Sequence, residues 1–227
     1  MAIPVIKTDL DRQSTFGYTC NRCLACCHFK RIQLNPYDIA RLARNQGIST
    51  TACIGRYTTT GGTILRFRDD GACVFLDDRG CSVHPDRPLV CRLYPLERHV
   101  RFSGMEYFSQ VACEPGCQGS FHENGTIAQY LEEQAAGPFM HAADLYLDLL
   151  RRLLETLKCQ RLDPAQAETM LKTVQKVSRD QEGGHDLSWI DMDRAVTYYC
   201  SQSGLSFPAD VEARMALHIK AVQEWAA

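Results

Sequence analysis

The stretch YTCNRCLACCHFK, Tyr18 to Lys30, places four cysteines within eight residues, with Cys26 and Cys27 adjacent. Cys20, Cys23 and Cys26 recur at every third position, the C-x2-C-x2-C spacing at which thiolates of one loop converge on a metal centre. A redox C-x2-C dithiol usually stands alone at a helix start and not among many further thiols, so chelation is the favoured reading.

Further candidate ligands lie outward from this loop. In CVFLDDRGCSVHPDRPLVCRLYP, Cys73, Cys81 and Cys91 are spaced eight and ten apart, which suits hairpin ends and a turn more than one continuous loop. Pro88 fixes its own dihedral and restricts Arg87, stiffening the approach to Cys91. Arg87 and Arg92 flank these thiols. They either offset thiolate charge, through sulfur hydrogen bonds or ion pairs with Asp77, Asp78 or Asp86, or stay solvated on the surface. Of the nearby histidines only His84, three residues after Cys81, is placed as a ligand candidate; His28, His99 and His122 read as surface or hydrogen-bonded residues. Cys53, Cys159 and Cys200 lack partners and read as packed small hydrophobes.

Composition sets the frame. A chain of 227 residues with 45% hydrophobic content buries a real core, and 25 basic against 27 acidic residues, with no long run of either sign, excludes the charge footprint of a nucleic-acid binder. The N-terminus lacks an apolar signal core, and no stretch approaches the roughly 20 apolar residues of a membrane helix. The expectation is a cytoplasmic protein with no membrane partner, in which clustered cysteines are metal ligands rather than disulfides.

Ten of the twelve cysteines lie between Cys20 and Cys117, while the last 110 residues hold only Cys159 and Cys200. That asymmetry predicts an α+β chain with an irregular cysteine-rich domain over 1–124 and a helical region over 125–227. In the first, NPYDIARLARNQG predicts a helix capped by Asn35, with Pro36 at its first position, Ile39, Leu42 and Ala43 on one face, and Gly47 as its stop. GGTILRFRDDGACVFLDDRGC and RHVRFSGMEYFSQV alternate apolar and charged residues around Asp-Gly and Ser103-Gly104 turns. Both predict hairpins, delivering Cys73, Cys81 and Cys113 near their ends. In the second region, helices are predicted over AADLYLDLLRRLLETLK, with Leu145, Leu149, Leu153 and Leu157 in phase, over 163–181, with a Leu171, Val174 and Val177 stripe, over 189–201, and from Pro208, with Val211, Met215, Leu217 or His218, and Val222 facing inward.

The motifs CNRCLACC, C-V-F-L-x4-C-S-V, R-P-L-x-C-R-x-Y-P and C-E-P-G-C-Q-G together resemble the YkgJ-type cysteine-cluster family, described as a zinc- or iron-chelating CxxCxxCC domain, from about Thr19 to Gly119. In looser form the pattern resembles the N-terminal part of flagellin lysine N-methylase, an iron–sulfur protein that methylates lysines. The resemblance implies ligands at Cys20, Cys23, Cys26, Cys27, Cys73, Cys81, Cys91 and Cys113. Cys117 lies where no family cysteine is expected, and His84 replaces a residue that is commonly tyrosine; each is either an extra ligand or incidental.

Eight thiols are twice what one tetrahedral zinc or one four-iron cluster takes. In an extended segment adjacent side chains point to opposite sides, so Cys26 and Cys27 are expected to divide two metal centres, or else one centre holds several ions. The resemblance favours a [4Fe-4S] cluster, with zinc as the rival and as an occupant of the second site. Two functions follow. One is a cluster protein supporting redox chemistry or a protein modification such as lysine methylation; the other is a zinc-stabilised module whose helical part recognises a protein partner. No G-x-G-x-x-G, G-K-[ST], H-E-x-x-H or G-x-S-x-G motif is present, so catalysis rests on the resemblance, and the residues leave oligomeric state open.

Overall fold

The computed structural model describes residues 4–101, 103–156 and 189–225. The chain is α+β, with short antiparallel strands and helices in mixed order. Contacts group it into two compact units, Met1–Gln33 with Leu65–Met140, and Leu34–Ile64 with His141–Ala227. This grouping is not a single cut of the chain; that 1–124 and 125–227 fold independently remains a proposal.

In the first unit, β1 (Val5–Leu10), β8 (Glu106–Val111) and β7 (Leu96–Val100) form one antiparallel sheet in the order β1-β8-β7. The β7–β8 pair is the hairpin expected around Ser103-Gly104, and Phe108 is fully buried on it. A second pair joins β2 (Thr15–Thr19) to β9 (Ser120–Thr126), aligning Tyr18 with Phe121 and Thr19 with Ser120. That register sets the two flanking loops, which carry Cys20–Cys27 and Cys113–Cys117, beside each other.

The expected Asp-Gly turn forms at residues 68–71, where Gly71 N donates to Arg68 O at 2.8 Å and Gly71 takes the φ of +82° that favours glycine. A short pair, β5 (Leu76–Asp77) and β6 (Gly80–Cys81), follows. Helix α3 (Leu89–Leu93) carries Cys91, and α4 (Ile127–Glu133) begins with a capping box between Thr126 and Gln129.

In the second unit, β3 (Thr58–Thr59) pairs with β4 (Ile64–Leu65) next to two helices. Helix α1 (Pro36–Gln46) forms as its sequence predicts. Asn35 and Asp38 close a capping box, Gly47 ends the helix at φ 64°, and Ile39, Leu42 and Ala43 are buried. Helix α2 (Thr50–Tyr57) was not anticipated; Ser49 caps it and Cys53 is fully buried on it. Burial pushes the Cys53 thiol up to about 12, in keeping with its reading as a packing residue.

Helices α5 (Gly137–Thr156), α6 (Met192–Ser203) and α7 (Val211–Trp225) match three of the four expected. Tyr146, Leu149 and Leu153 are buried on α5; Val211, Met215, His218 and Val222 are buried on α7, so His218 rather than Leu217 takes the inward position. Cys200 is buried on α6. The helix expected over 163–181, together with Leu157, Cys159, Leu171, Val174 and Val177, lies outside the described residues.

Helices α2 and α6 complete each other's first turns. Thr50 N donates to Asp193 Oδ2 at 2.8 Å, and Asp193 N donates to Thr50 Oγ1 at 2.8 Å. Thr50 Oγ1 in turn donates to Asp191 Oδ1 at 2.6 Å, and Arg214 pairs with Asp193. One orphan amide of each helix thereby finds an acceptor across the helix pair.

Candidate metal centre

The CNRCLACC loop is neither strand nor regular helix. Arg22 and Leu24 take left-handed φ values of 52° and 64°, and Ala25–Cys27 form one 3-10 turn closed by Cys27 N donating to Leu24 O at 2.9 Å. This turn corrects the expected divergence of Cys26 and Cys27. Side chains alternate only along an extended chain; on the 3-10 turn the two thiols lie close enough to hydrogen bond to each other. The shared bond lowers the Cys26 pKa to about 7, assisted by the nearby positive charge of Lys30 and His28 and opposed by burial. It raises that of Cys27, with burial and the neighbouring Cys26, Cys91 and Cys81 adding to the effect. The adjacent pair therefore belongs to one group of sulfurs.

Three other segments bring the remaining members of that group. Cys73 N donates to Cys27 O at 2.8 Å, and Phe29 N donates to Gly71 O at 2.8 Å, so the 71–73 turn is laced to the first loop. Leu76 aligns with Cys81 on the β5–β6 pair, and Cys81 acts electrostatically on Cys73 and Cys27. Burial raises the pKa of Cys73 and of Cys81, while a backbone bond from Val83 and the charge of Arg87 partly offset it at Cys81. Cys91 reaches Cys27 from α3.

A second gathering of sulfurs involves a residue outside the expected ligand set. Glu114 to Cys117 form a tight turn with Pro115 and Gly116 at its centre; Cys117 N donates to Glu114 O at 2.9 Å, and Gly116 has φ +80°. The turn folds Cys117 back towards Cys113, whose pKa burial and the neighbouring Cys117 raise. Tyr18 Oη lies 3.1 Å from Cys117 Sγ and 3.8 Å from Cys113 Sγ. Gln118 N donates to Cys23 Sγ at 3.3 Å, which lowers the Cys23 pKa, and Gly119 N donates to Cys117 Sγ at 3.4 Å. The signal for Cys117 was present in C-E-P-G-C, because proline and glycine at the two central positions return the chain on itself.

The supporting residues are polar. Lys30 pairs with Glu114 and sits over the Tyr94 ring at 5.7 Å, while Glu114 N donates to Tyr94 Oη at 2.9 Å. Burial, followed by the nearby thiols, raises the pKa of Tyr94 as it does that of Tyr18, so both phenols keep their protons. Cys20 is exposed, and its charge reaches Tyr130.

Arg92 is not a solvated residue. It is 3% exposed and donates to the carbonyls of Pro85, Arg87 and Gln134 at 2.5, 3.0 and 2.9 Å, so it staples the turn ahead of Cys91 to the end of α4. His84 has Nδ1 3.3 Å from the Arg87 guanidinium; burial, then the charges of Arg87, Arg22 and Arg92, lower its pKa and keep the ring neutral. His28 Nδ1 bonds to Leu24 O at 3.1 Å, His99 Nε2 lies 3.0 Å from Ser109 Oγ, and the His122 ring packs over Gly17.

Among the described residues no three cysteine, histidine, aspartate or glutamate side chains are grouped so that they could hold a metal ion. The sulfurs meet in pairs, and what fits a metal is their chemistry: an all-thiol donor set with neighbouring N–H and O–H donors suits zinc or iron.

Residues 19–118 match the CxxCxxCC family model, described as a "putative zinc- or iron-chelating domain". This segment, less than half of the chain, is similar to the CxxCxxCC domain. The chain is also 27% identical over 115 residues to an uncharacterized protein of Methanocaldococcus jannaschii, covering 49% of this chain and 62% of that protein, so the match spans less than two thirds of the relative's length. No solved structure matches. The similarity links residues 19–118 to a zinc- or iron-chelating domain, in line with the YkgJ-type resemblance; the comparisons do not show the likeness to flagellin lysine N-methylase. Among the described residues no helix is long and apolar enough to cross a membrane.

Proposed function

We propose that the CxxCxxCC domain holds zinc or iron through cysteine thiolates, with Cys20, Cys23, Cys26, Cys27, Cys73, Cys81, Cys91 and Cys113 as the ligand pool. The observation that carries this reading is that Cys26, Cys81 and Cys91, thiols from three separate segments, all act electrostatically on Cys27, a repulsion between thiolates that a bound cation relieves. Four sulfurs suit a [4Fe-4S] cluster or one tetrahedral zinc. The iron–sulfur reading gives the protein a redox or protein-modifying role in the cytoplasm, with catalytic residues and substrate unassigned.

A zinc-stabilised interaction module is the second reading. It is favoured by the brevity of β5 and β6, two residues each, a short pairing beside Cys73 and Cys81 that a bound ion would reinforce. Iron, zinc and acid-labile sulfide content of the full chain purified without oxygen, together with its visible spectrum, separates the two. Iron with sulfide and a brown colour supports the first; colourless zinc protein supports the second; metal-free protein that takes up neither metal overturns both.

A further inference from the structure

We propose that Lys30, Tyr94 and Glu114 form a positioning triad that holds three cysteine-bearing segments together before any ion arrives, so that the chain presents its thiols as a prearranged pool. The inference rests on the reading that this chain chelates zinc or iron through its cysteines, and it adds to that reading three residues that are not themselves thiols.

The triad is a closed ring of contacts. Lys30 pairs with Glu114, the Glu114 N–H donates to Tyr94 Oη at 2.9 Å, and the Lys30 ammonium stands 5.7 Å from the centre of the Tyr94 ring. Its corners come from three places in the sequence. Lys30 lies three residues after Cys27, Tyr94 three after Cys91 at the end of α3, and Glu114 directly after Cys113.

Each corner is also anchored on its own side. Phe29 N donates to Gly71 O at 2.8 Å and Cys73 N donates to Cys27 O at 2.8 Å, so the stretch that carries Lys30 is bound to the 71–73 turn as well. Tyr130 Oη donates to Tyr94 O at 2.6 Å, and the Tyr18 ring meets the Tyr94 ring edge-on with centroids 6.4 Å apart. Glu114 O accepts from Cys117 N at 2.9 Å and so opens the turn that ends at Cys117.

An ion pair on the open surface contributes little, because water screens it and two long side chains must be ordered. This pair is more sheltered: the Lys30 and Glu114 side chains are 15% and 22% exposed, and the Tyr94 ring gives the ammonium a further partner. Bringing three segments together costs conformational entropy, and a chain that has met that cost before binding chelates more tightly.

The test compares wild type with Lys30→Met, Lys30→Arg and Glu114→Gln, each as the full chain. In reduced, metal-free protein, alkylation followed by mass spectrometry reads how fast Cys91 and Cys113 react, with the buried Cys53 as the internal standard for global unfolding. With cobalt(II), a spectroscopic substitute for zinc, competition against a chromogenic chelator reads affinity, and thiolate-to-cobalt absorption reads the ligand set. Lys30→Met and Glu114→Gln are expected to speed alkylation of Cys91 and Cys113 relative to Cys53. They should also weaken cobalt affinity roughly 10–100-fold, the usual loss when a group behind the ligands is removed, with the absorption at saturation as in wild type. Lys30→Arg, which keeps the charge and the ring contact, should restore both.

Wild-type alkylation rates and affinity in Lys30→Met, or no recovery in Lys30→Arg, overturns the triad. Should Lys30→Met fail to fold and expose Cys53 too, Glu114→Gln decides, since it keeps the backbone bond to Tyr94 and loses only the charge. A wild-type chain that takes up no cobalt sinks the chelation reading; the triad is then judged on the metal-free alkylation rates alone, and falls if they do not rise in Lys30→Met.

Discussion

The Tyr18 hydroxyl lies 3.1 Å from the Cys117 sulfur across a sequence separation of 99 residues, with Gly119 leaving the space in which they meet. Gly119→Ala puts a methyl where the phenol oxygen sits, and the ring must move. The expected cost is about 1–3 kcal/mol of stability, the usual range for overpacking, read by denaturant unfolding. Tyr18→Phe, which removes only the hydroxyl, should cost about 1 kcal/mol. Equal, negligible effects for the two would show that the contact contributes nothing.

Metal removal should loosen the cysteine-rich unit first. Saturating metal at 100 times its dissociation constant adds about 2.7 kcal/mol to a state that binds only when folded. Chelation is therefore expected to lower the melting temperature and to raise amide exchange in 71–91 and 113–119 before α1 or α7. Unchanged exchange in those loops after complete metal removal would contradict the assignment.

How much of this was legible in the sequence depends on range. The Asn35 cap, Gly47 stop and Ser103-Gly104 hairpin are local, and each was read correctly because a few neighbouring residues decide it. The β2–β9 pairing is not local: Tyr18 and Phe121 are aligned by tertiary packing that no short window records. Helix α2 escaped because two threonines, a glycine and a tyrosine give it a weak helical pattern, and its first turn is secured by Asp193 from far along the chain. The cysteine spacing announced chelation but misplaced the Cys26–Cys27 relationship, since left-handed Arg22 and Leu24 bend the loop into a turn that a period-two argument does not foresee. For Arg92 the sequence leaves open a thiolate partner or a solvated surface, and neither is what forms; burial of arginine becomes favourable where, as here, carbonyls accept its fork.

Arg92 should resist even conservative change. Its guanidinium serves three carbonyls and stacks on Phe139 with its carbon 3.9 Å from the ring centre. Lysine cannot span that geometry, so Arg92→Lys should cost about 2 kcal/mol or more by leaving buried acceptors unmet. A chemical-denaturation midpoint equal to wild type would refute this role.

His218 makes the helical unit acid-sensitive. The ring is fully buried, its Nδ1 2.9 Å from Tyr146 Oη, and burial holds its pKa down to about 4 against an ordinary 6.5, opposed by a hydrogen bond with the Trp189 backbone. Because the unfolded chain binds the proton more readily, the stability is fully present above pH 6.5. It declines as pH falls towards 4, by about 3 kcal/mol in all. His218→Leu should flatten that part of the pH profile of unfolding; a profile as steep as wild type would place the acid sensitivity elsewhere.

The exchange of amide bonds between Thr50 and Asp193 has a consequence for biogenesis. A helix emerging from the ribosome at residue 50 must wait for 143 further residues before the acceptor for its Thr50 amide exists. The segment made early is thus among the last to be secured, and the cysteine-bearing stretch that follows it, 73–117, is synthesised while it is still open. By the order of translation every cysteine from 20 to 117 is made before the carboxylate of Asp193 arrives as the closing stitch.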